Sequence, residues 1–502
     1  MAIFLSKREL QQTEPADEAA FRSPVPTQVI SNGEFNPIPQ TRQQRQVEER
    51  IKELADATAG KLGLSRRRFL RTGSGMAAAF LAMNDVYGRI FDVSAAEAAE
   101  PAAAAERAKG LEKQFIVDVQ THFVRDDYKG EFMLDIAKYA AQNWNPAMSK
   151  DPGGLTLDRY KFDNFLKEIY VDSDTKVALL SGAPFDDPAG WFLNNDQIKW
   201  ANQAVNKVAG SNRLLFHSLF TPKQPGWMDE VDRCIAEIKP TSWKGYTIGD
   251  PLNPKTTKYP WRLDDEALVY PFYDKAAKAG INTICIHKGL MPRDYEASIP
   301  GGGWKYATVE DLPKAAKDWP QLNFVIYHSA IRTFMEPLDA ELAEFERTGY
   351  VRWVSDLAKI PEQHGVKNVY GEIGTAFATT AVTSPRFCAA MLGTLIKGLG
   401  QDHVLWGTDS VLYGSPQWQI EAFRRLEIPD DLQKKYGFAP LGPADGTVKN
   451  AIFGYNSAQL YKLDLRADLH NDGIAKIKAA YLEDGGQRSN TAYGYVSRRA
   501  LG

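Results

Sequence analysis

Between about residues 111 and 465, short apolar runs recur along the chain, separated by longer segments with helical spacing. The runs are FIVDV (115–119), KVALLS (176–181), LLFHSLF (214–220), WKGYTI (243–248), NTICIH (282–287), NFVIYH (323–328), NVYGEI (368–373) and HVLWGTD (403–409). Segments such as DEALVYPFYDKAAKAG and VEDLPKAAKDWP lie between them. Strands alternating with helices predict a parallel sheet with crossovers. Eight runs at intervals of roughly 30 to 60 residues predict an α/β fold, a (β/α)8 TIM barrel over 111–465. The rival is a doubly wound open sheet, which announces itself with a glycine-rich turn after its first strand. No G-x-G-x-x-G follows Val119, so the barrel is the expectation.

The flanks read differently. Residues 1–64 form a polar N-terminal extension rich in Pro, Gln and Arg. Only VEERIKELADA has the spacing of a short helix, and the rest is expected to be an extended or disordered arm. Residues 65–100 carry Ser65, Arg66, Arg67, Phe69, Leu70 and Arg71, the twin-arginine export pattern. A mild apolar run, Met76 to Met83, and a small-residue stretch follow it. The run is too short to cross a membrane. The expected partner is the twin-arginine machinery, with a periplasmic or otherwise exported location. A basic amphipathic helix on a cytoplasmic protein is the alternative. Residues 466–502 are a polar C-terminal tail in which KIKAAYLEDGG is a candidate helix.

Composition narrows the function. The 502 residues are 44% hydrophobic and 25% charged, a globular balance with ample core. A formal charge of −3 supplies no basic field for nucleic acid. Cys234, Cys285 and Cys388 lie far apart with no C-x-x-C spacing, which excludes a zinc knuckle and leaves the redox compartment open.

The reactive groups of such a barrel sit at the C-terminal ends of its strands. His122 follows the first run, His287 and His328 close two others, and Asp409 closes the last. Nitrogen and carboxylate donors converging on one mouth suit zinc, manganese or iron. The plain alternative holds for each residue singly: a hydrogen-bonded structural histidine, or a capping role for Asp409. His217, inside its run, reads as packing, whereas His364, His403 and His470 fall in polar segments. Glu372 ends the seventh run and is a further candidate at the mouth. Arg293, Tyr295 and Trp304 lie on a long glycine-rich segment after His287, either a substrate lid or a surface excursion. Asp118, Gln120 and His122 are spaced two apart, and such residues share one face of a strand. Gln120 stands where a His-x-His metal pair would have its first histidine.

The segments DVQTHF, DDEALVYPFYDKAAKAGINTICIHKG, NFVIYHSA, VLWGTDS and KNAIFGYNSAQLYKL resemble the amidohydrolase-related proteins of the amidohydrolase superfamily, which include enzymes like aminocarboxymuconate-semialdehyde decarboxylase. The likeness spans about residues 113–463. It implies a metal-dependent barrel with one divalent ion, zinc first, acting on a small molecule as a homo-oligomer. It places Gln120 and His122 at the strand-one pair and gives His287 a metal-binding role. His328 would contact substrate or activated water, and Asp409 would bind metal and transfer protons. Lys244 does not match the register of the bridging lysine of binuclear relatives.

The leading expectation is a hydrolase in which activated water attacks an amide, ester or lactone. Asp409 would take the water's proton and His328 would polarise the carbonyl. The same parts would serve a non-oxidative decarboxylase or hydratase of an aromatic or muconate-type acid, with Arg293 or Arg332 placed for a second carboxylate. A non-catalytic barrel with a degraded site is the third reading, with Gln120 as its mark.

Overall fold

The structure, a computed structural model, describes residues 23–28, 40–131, 133–135, 138, 156–249, 257–291, 295–298, 300–333, 336–484 and 486. Eight parallel strands follow one another around a barrel in chain order. They are β1 (Val117–Thr121), β2 (Val177–Leu180), β3 (Leu214–Leu219), β4 (Ser242–Tyr246), β5 (Thr283–His287), β6 (Asn323–Tyr327), β7 (Val369–Glu372) and β8 (Val404–Leu405). The ring closes where Val119 N donates to Trp406 O (3.0 Å) and Asp409 N to Gln120 O (2.9 Å). Alternating side chains fill the interior: Val117, Val119, Leu179, Leu215, Cys285, Val325, Tyr327 and Leu405, with Tyr461 and Leu469 of the C-terminal segment packed beside them. The barrel is therefore a packed core, and chemistry is confined to its rim. All three cysteines are buried and free.

The helices show why the local sequence folds as it does. Asn195–Ala209 starts in a capping box between Asn194 and Gln197 and buries Ile198, Ala201, Val205 and Ala209 at helical spacing. It stops at Gly210, whose φ of 70° is the left-handed conformation that favours glycine.

Within the described residues, the N-terminal flank from 40 onward is more ordered than its composition implies, and the expected extended arm falls largely outside them. α1 (Arg42–Ala59) extends well beyond the expected short helix, with Thr41 and Gln44 forming a capping box. Its stripe Val47, Ile51, Ala55 and Ala59 packs on α3 (Gly73–Tyr87), beyond the short α2 (Arg66–Leu70). α4 (Ala95–Ala99) and α5 (Pro101–Gly110) complete the unit. The apolar run of the export-like segment lies inside it: Ala77, Ala79, Phe80, Ala82 and Met83 are fully buried, and Phe69 and Leu70 join the same core. The unit is stitched to the barrel by Asp92 N to Arg425 O (2.7 Å) and Glu427 N to Ile90 O (2.8 Å).

Candidate metal centre

The first strand bends before it reaches the rim. Asp118 pairs with Ala178 and Thr121 with Leu180, so three steps on β1 match two on β2. Such a bulge re-aims the side chains beyond it. Val117 and Val119 face the barrel interior, and past the irregularity Gln120 and His122 nevertheless reach the mouth. Asp118 does not share their face. Its carboxyl accepts from Thr408 N (3.1 Å), Thr408 Oγ1 and Gln120 N (3.2 Å), locking β1 to the segment after β8. Burial pushes it up to about 7, against those hydrogen bonds.

Four buried residues make the rim: His122, His287, His328 and Asp409 are all less than 5% exposed. His122 Nδ1 lies 2.8 Å from Ser181 O, which can only accept, so this nitrogen carries the proton. A neutral His122 then turns a bare Nε2 toward Asp409 Oδ1, 3.1 Å away. Two acceptors that close need a positive charge between them, either a second proton on His122 or a cation. Gln120 Nε2 donates to the same Oδ1 (3.0 Å), and Thr375 Oγ1 donates to Oδ2. Burial raises the Asp409 carboxyl, but positive charge at His122, together with His328 and Thr375, outweighs it and holds the group below its ordinary value.

The other two histidines form a directed pair. His328 Nδ1 donates to Gly374 O (2.8 Å), so a neutral His328 accepts at Nε2, and His287 Nδ1 donates to it (3.1 Å). That chain leaves the lone pair of His287 Nε2 buried with no protein partner among the described residues. Burial, then the neighbouring charges of His328 and Lys244, drive His287 well below the ordinary histidine value. Burial takes His328 down to about 4. His287 also stacks on Tyr246, ring centroids 4.6 Å apart.

The remaining expected residues take up supporting positions. Glu372, expected at the substrate, faces the backbone instead: Oε2 accepts from His328 N (3.1 Å) and Oε1 from Gly374 N (2.5 Å). Burial lifts it to about 8. It fixes the turn that presents His328, where His328, Ser329 and Ala330 all have positive φ (60°, 47° and 55°). Arg332 is buried and its guanidinium is held by Glu296 (Nε to Oε1 2.6 Å, Nη2 to Oε2 2.5 Å) and by Met291 O (2.6 Å). It thus pins the segment after β5 rather than offering an open fork to substrate. Trp304 of that segment stacks on Trp353 at 6.3 Å. Arg293 lies outside the described residues. His217 is engaged by Ser242 and Tyr327 at 2.8 Å each, as packing requires. Lys244 pairs in register with Cys285, whereas Tyr246 pairs with His287, which puts the lysine one layer below the rim.

Behind His287, Lys288 Nζ bonds both oxygens of Asp311 at 2.9 Å, with neither side chain exposed by more than 2%. Removing one member of a buried pair strands the other charge. Asp311→Ala is expected to cost about 3 to 5 kcal/mol in urea unfolding, whereas removing an exposed pair such as Lys278–Asp274 should cost under about 1 kcal/mol.

Sequence reasoning passed over Ser181, Gly374, Thr375 and Thr408. Two of these act through backbone carbonyls, which any residue supplies, so only Thr375 and Thr408, polar residues just past strand ends, left a readable sign.

A divalent ion can be judged against these donors. Among the described residues, no three His, Cys, Asp or Glu side chains are gathered as a ready metal site. The donor chemistry nevertheless fits. His122 Nε2 and Asp409 Oδ1 face each other, and Gln120 Oε1 and His287 Nε2 are buried without protein partners among the described residues. The far nitrogen of His122 is tied to a carbonyl, as metal-binding histidines commonly are.

Residues 238–463 match the model of the amidohydrolase family, a stretch that holds His287, His328, Glu372 and Asp409 but not Gln120 or His122. Among solved structures, the chain is similar to an uncharacterized TIM-barrel protein from Bordetella bronchiseptica (13% identity, 69% of this chain and 98% of that one, TM-score 0.42). It is similar to 2,6-dihydroxybenzoate decarboxylase from Rhizobium (15% identity, 70% and 99% covered, TM-score 0.40). It is also similar to a 5-carboxyvanillate decarboxylase from Novosphingobium aromaticivorans with bound manganese (14% identity, 70% and 99% covered, TM-score 0.41). No curated protein matches the sequence.

Proposed function

From a TIM barrel whose residues 238–463 match the amidohydrolase family, we propose a metal-dependent enzyme that decarboxylates a small aromatic acid without oxidation. The observation that carries the metal is the facing of His122 Nε2 and Asp409 Oδ1 at 3.1 Å, beside two acceptors that have no protein partner among the described residues. His122, His287 and Asp409 would hold the ion, with Gln120 through its amide oxygen. Bound there, a divalent cation supplies the charge that holds a substrate carboxylate and steadies the negative charge left as the carbon–carbon bond breaks.

Two features favour decarboxylation over hydrolysis. Asp409 accepts from Gln120 and Thr375, and these donors fix its orientation and favour its anionic form, which suits a fixed ligand better than a base that takes a proton from water. Aromatic rings surround the histidines: Phe192 meets His122 edge-on at 5.9 Å, Tyr246 stacks on His287, and Phe185 packs on both (6.0 and 5.8 Å). Such walls take a flat ring and exclude water. His287 and His328 orient one another, and Glu372 holds the turn that carries His328. Arg332 and Glu296 anchor the segment after β5 at the mouth.

The test is a screen of hydroxylated and methoxylated benzoates against amides and lactones in labelled water. Release of carbon dioxide with no oxygen label in the organic product supports decarboxylation. Label entering the product of an amide or lactone refutes it and restores the hydrolase reading.

Gln120 also bears on the choice of ion. A neutral amide oxygen is a harder donor than imidazole and suits manganese better than zinc. Gln120→His is expected to tighten zinc binding by about tenfold or more in competition titrations. An unchanged affinity would place residue 120 outside the ligand set. Export rests on the Ser65–Arg71 pattern, and because Phe69 and Leu70 are buried, the segment would have to undock to be read. Cell fractionation tests this.

A further inference from the structure

Away from the mouth, a cavity of about 350 Å³ lies in the seam between the N-terminal helices and the helix Gln417–Arg425. Arg107 of α5 and Arg425 both line it. Arg425 is 2% exposed, yet its Nε and Nη1 find no acceptor among the described residues. Its Nη2 is taken by Glu97, and its face lies over the Phe80 ring at 5.4 Å. Arg107 has Nε and Nη2 buried without a hydrogen-bond acceptor among the described residues. Its nearest carboxylates are Glu97 Oε1, 3.8 Å from Nε, and the more exposed Asp92, 3.5 Å from Nη1. Nε and Nη2 form one edge of a guanidinium, the edge that takes an oxyanion with two parallel hydrogen bonds. A buried cation with open donors is costly unless something accepts from it.

We propose that this seam binds a small aliphatic monocarboxylic acid. The two-donor edge of Arg107 and the open N–H groups of Arg425 would hold the carboxylate. The charged groups lining the cavity are Arg71, Arg107 and Arg425 against Glu97 and Glu421, with Asp92 also paired to Arg107 and Glu421 to Arg425, so the site offers open donors to one carboxylate but no surplus charge for a phosphate dianion. The walls beyond the arginines are aliphatic: Met76, Ala104, Leu111 and Leu482. They suit a short alkyl chain, unlike the aromatic walls of the mouth. Because Arg107 comes from the N-terminal unit and Arg425 from the barrel, an occupant would tie the two together. The site shares no residue with the proposed metal centre, so its fate is independent of that reading.

Isothermal titration of the full chain with hexanoate tests the proposal, with hexanol and inorganic phosphate as the other titrants. The expected result is saturable one-to-one binding of hexanoate, with hexanol silent and phosphate weaker. Arg107→Met is expected to weaken binding by about tenfold or more. Ala108→Trp, at an exposed position lining the cavity, should block it with no change in melting temperature of the free protein. His287→Ala should leave it intact. No saturable binding, phosphate binding as tight as hexanoate, indifference to both seam variants, or loss in His287→Ala would each overturn the proposal.

Discussion

Asp409→Asn is expected to abolish turnover while leaving the barrel folded. Asparagine has the same shape and keeps an oxygen for Thr375, and the backbone N–H of residue 409 still reaches Gln120 O. What disappears is the negative charge facing His122 Nε2. That charge is needed twice, to hold the cation and to balance it in a buried site. A loss of several kcal/mol in transition-state stabilisation corresponds to a fall in kcat of about a thousandfold or more. Circular dichroism should show an unaltered fold, and elemental analysis a loss of bound metal. If the variant keeps most of its activity when supplied with metal, Asp409 has no part in the centre.

The second large effect is structural and sits one residue pair away. Gly407 follows β8 with Glu372 directly against it. A Cβ on residue 407 would lie 1.8 Å from Glu372 Oε1 and 3.1 Å from Gln120 Cβ. Glu372 cannot swing aside, because its two oxygens hold the N–H groups of His328 and Gly374. Gly407→Ala is therefore expected to cost about 3 kcal/mol or more, combining an overpacked core with lost buried hydrogen bonds. Urea denaturation at constant slope reads the change. The cost should fall sharply when Glu372→Ala is made first, since the clash partner is then gone. A change within about 0.5 kcal/mol for the single variant would mean that Glu372 is not fixed as described.

These contacts also show what was legible in the chain. The eight strands were readable because each is a short apolar run with a helical segment before the next. The rim histidines and Asp409 were readable because polar groups stand out at the ends of such runs. The bulge in β1 was not, since alternation alone puts Asp118, Gln120 and His122 on one face, and only pairing with β2 reveals the extra residue. β8 is only Val404–Leu405, shorter than its apolar run, because the chain beyond it bonds to the bent end of β1. Glu372 looked like a rim acid, but two backbone donors turned it inward. The middle of α1 was readable from its Val47–Ile51–Ala55 spacing, but helices α2 to α5 were obscured by weak apolar spacing, as their small residues gain burial only by packing on each other and on the barrel.

Metal content measures the central claim most directly. The chain, purified from medium supplied with both manganese and zinc, should carry close to one divalent ion per molecule by elemental analysis. That ion should be lost in His287→Ala and in Asp409→Asn, while Arg107→Met retains it. A well-folded chain that binds no stoichiometric metal after supplementation would contradict a metal-dependent site and leave a barrel whose rim polar groups hold only each other.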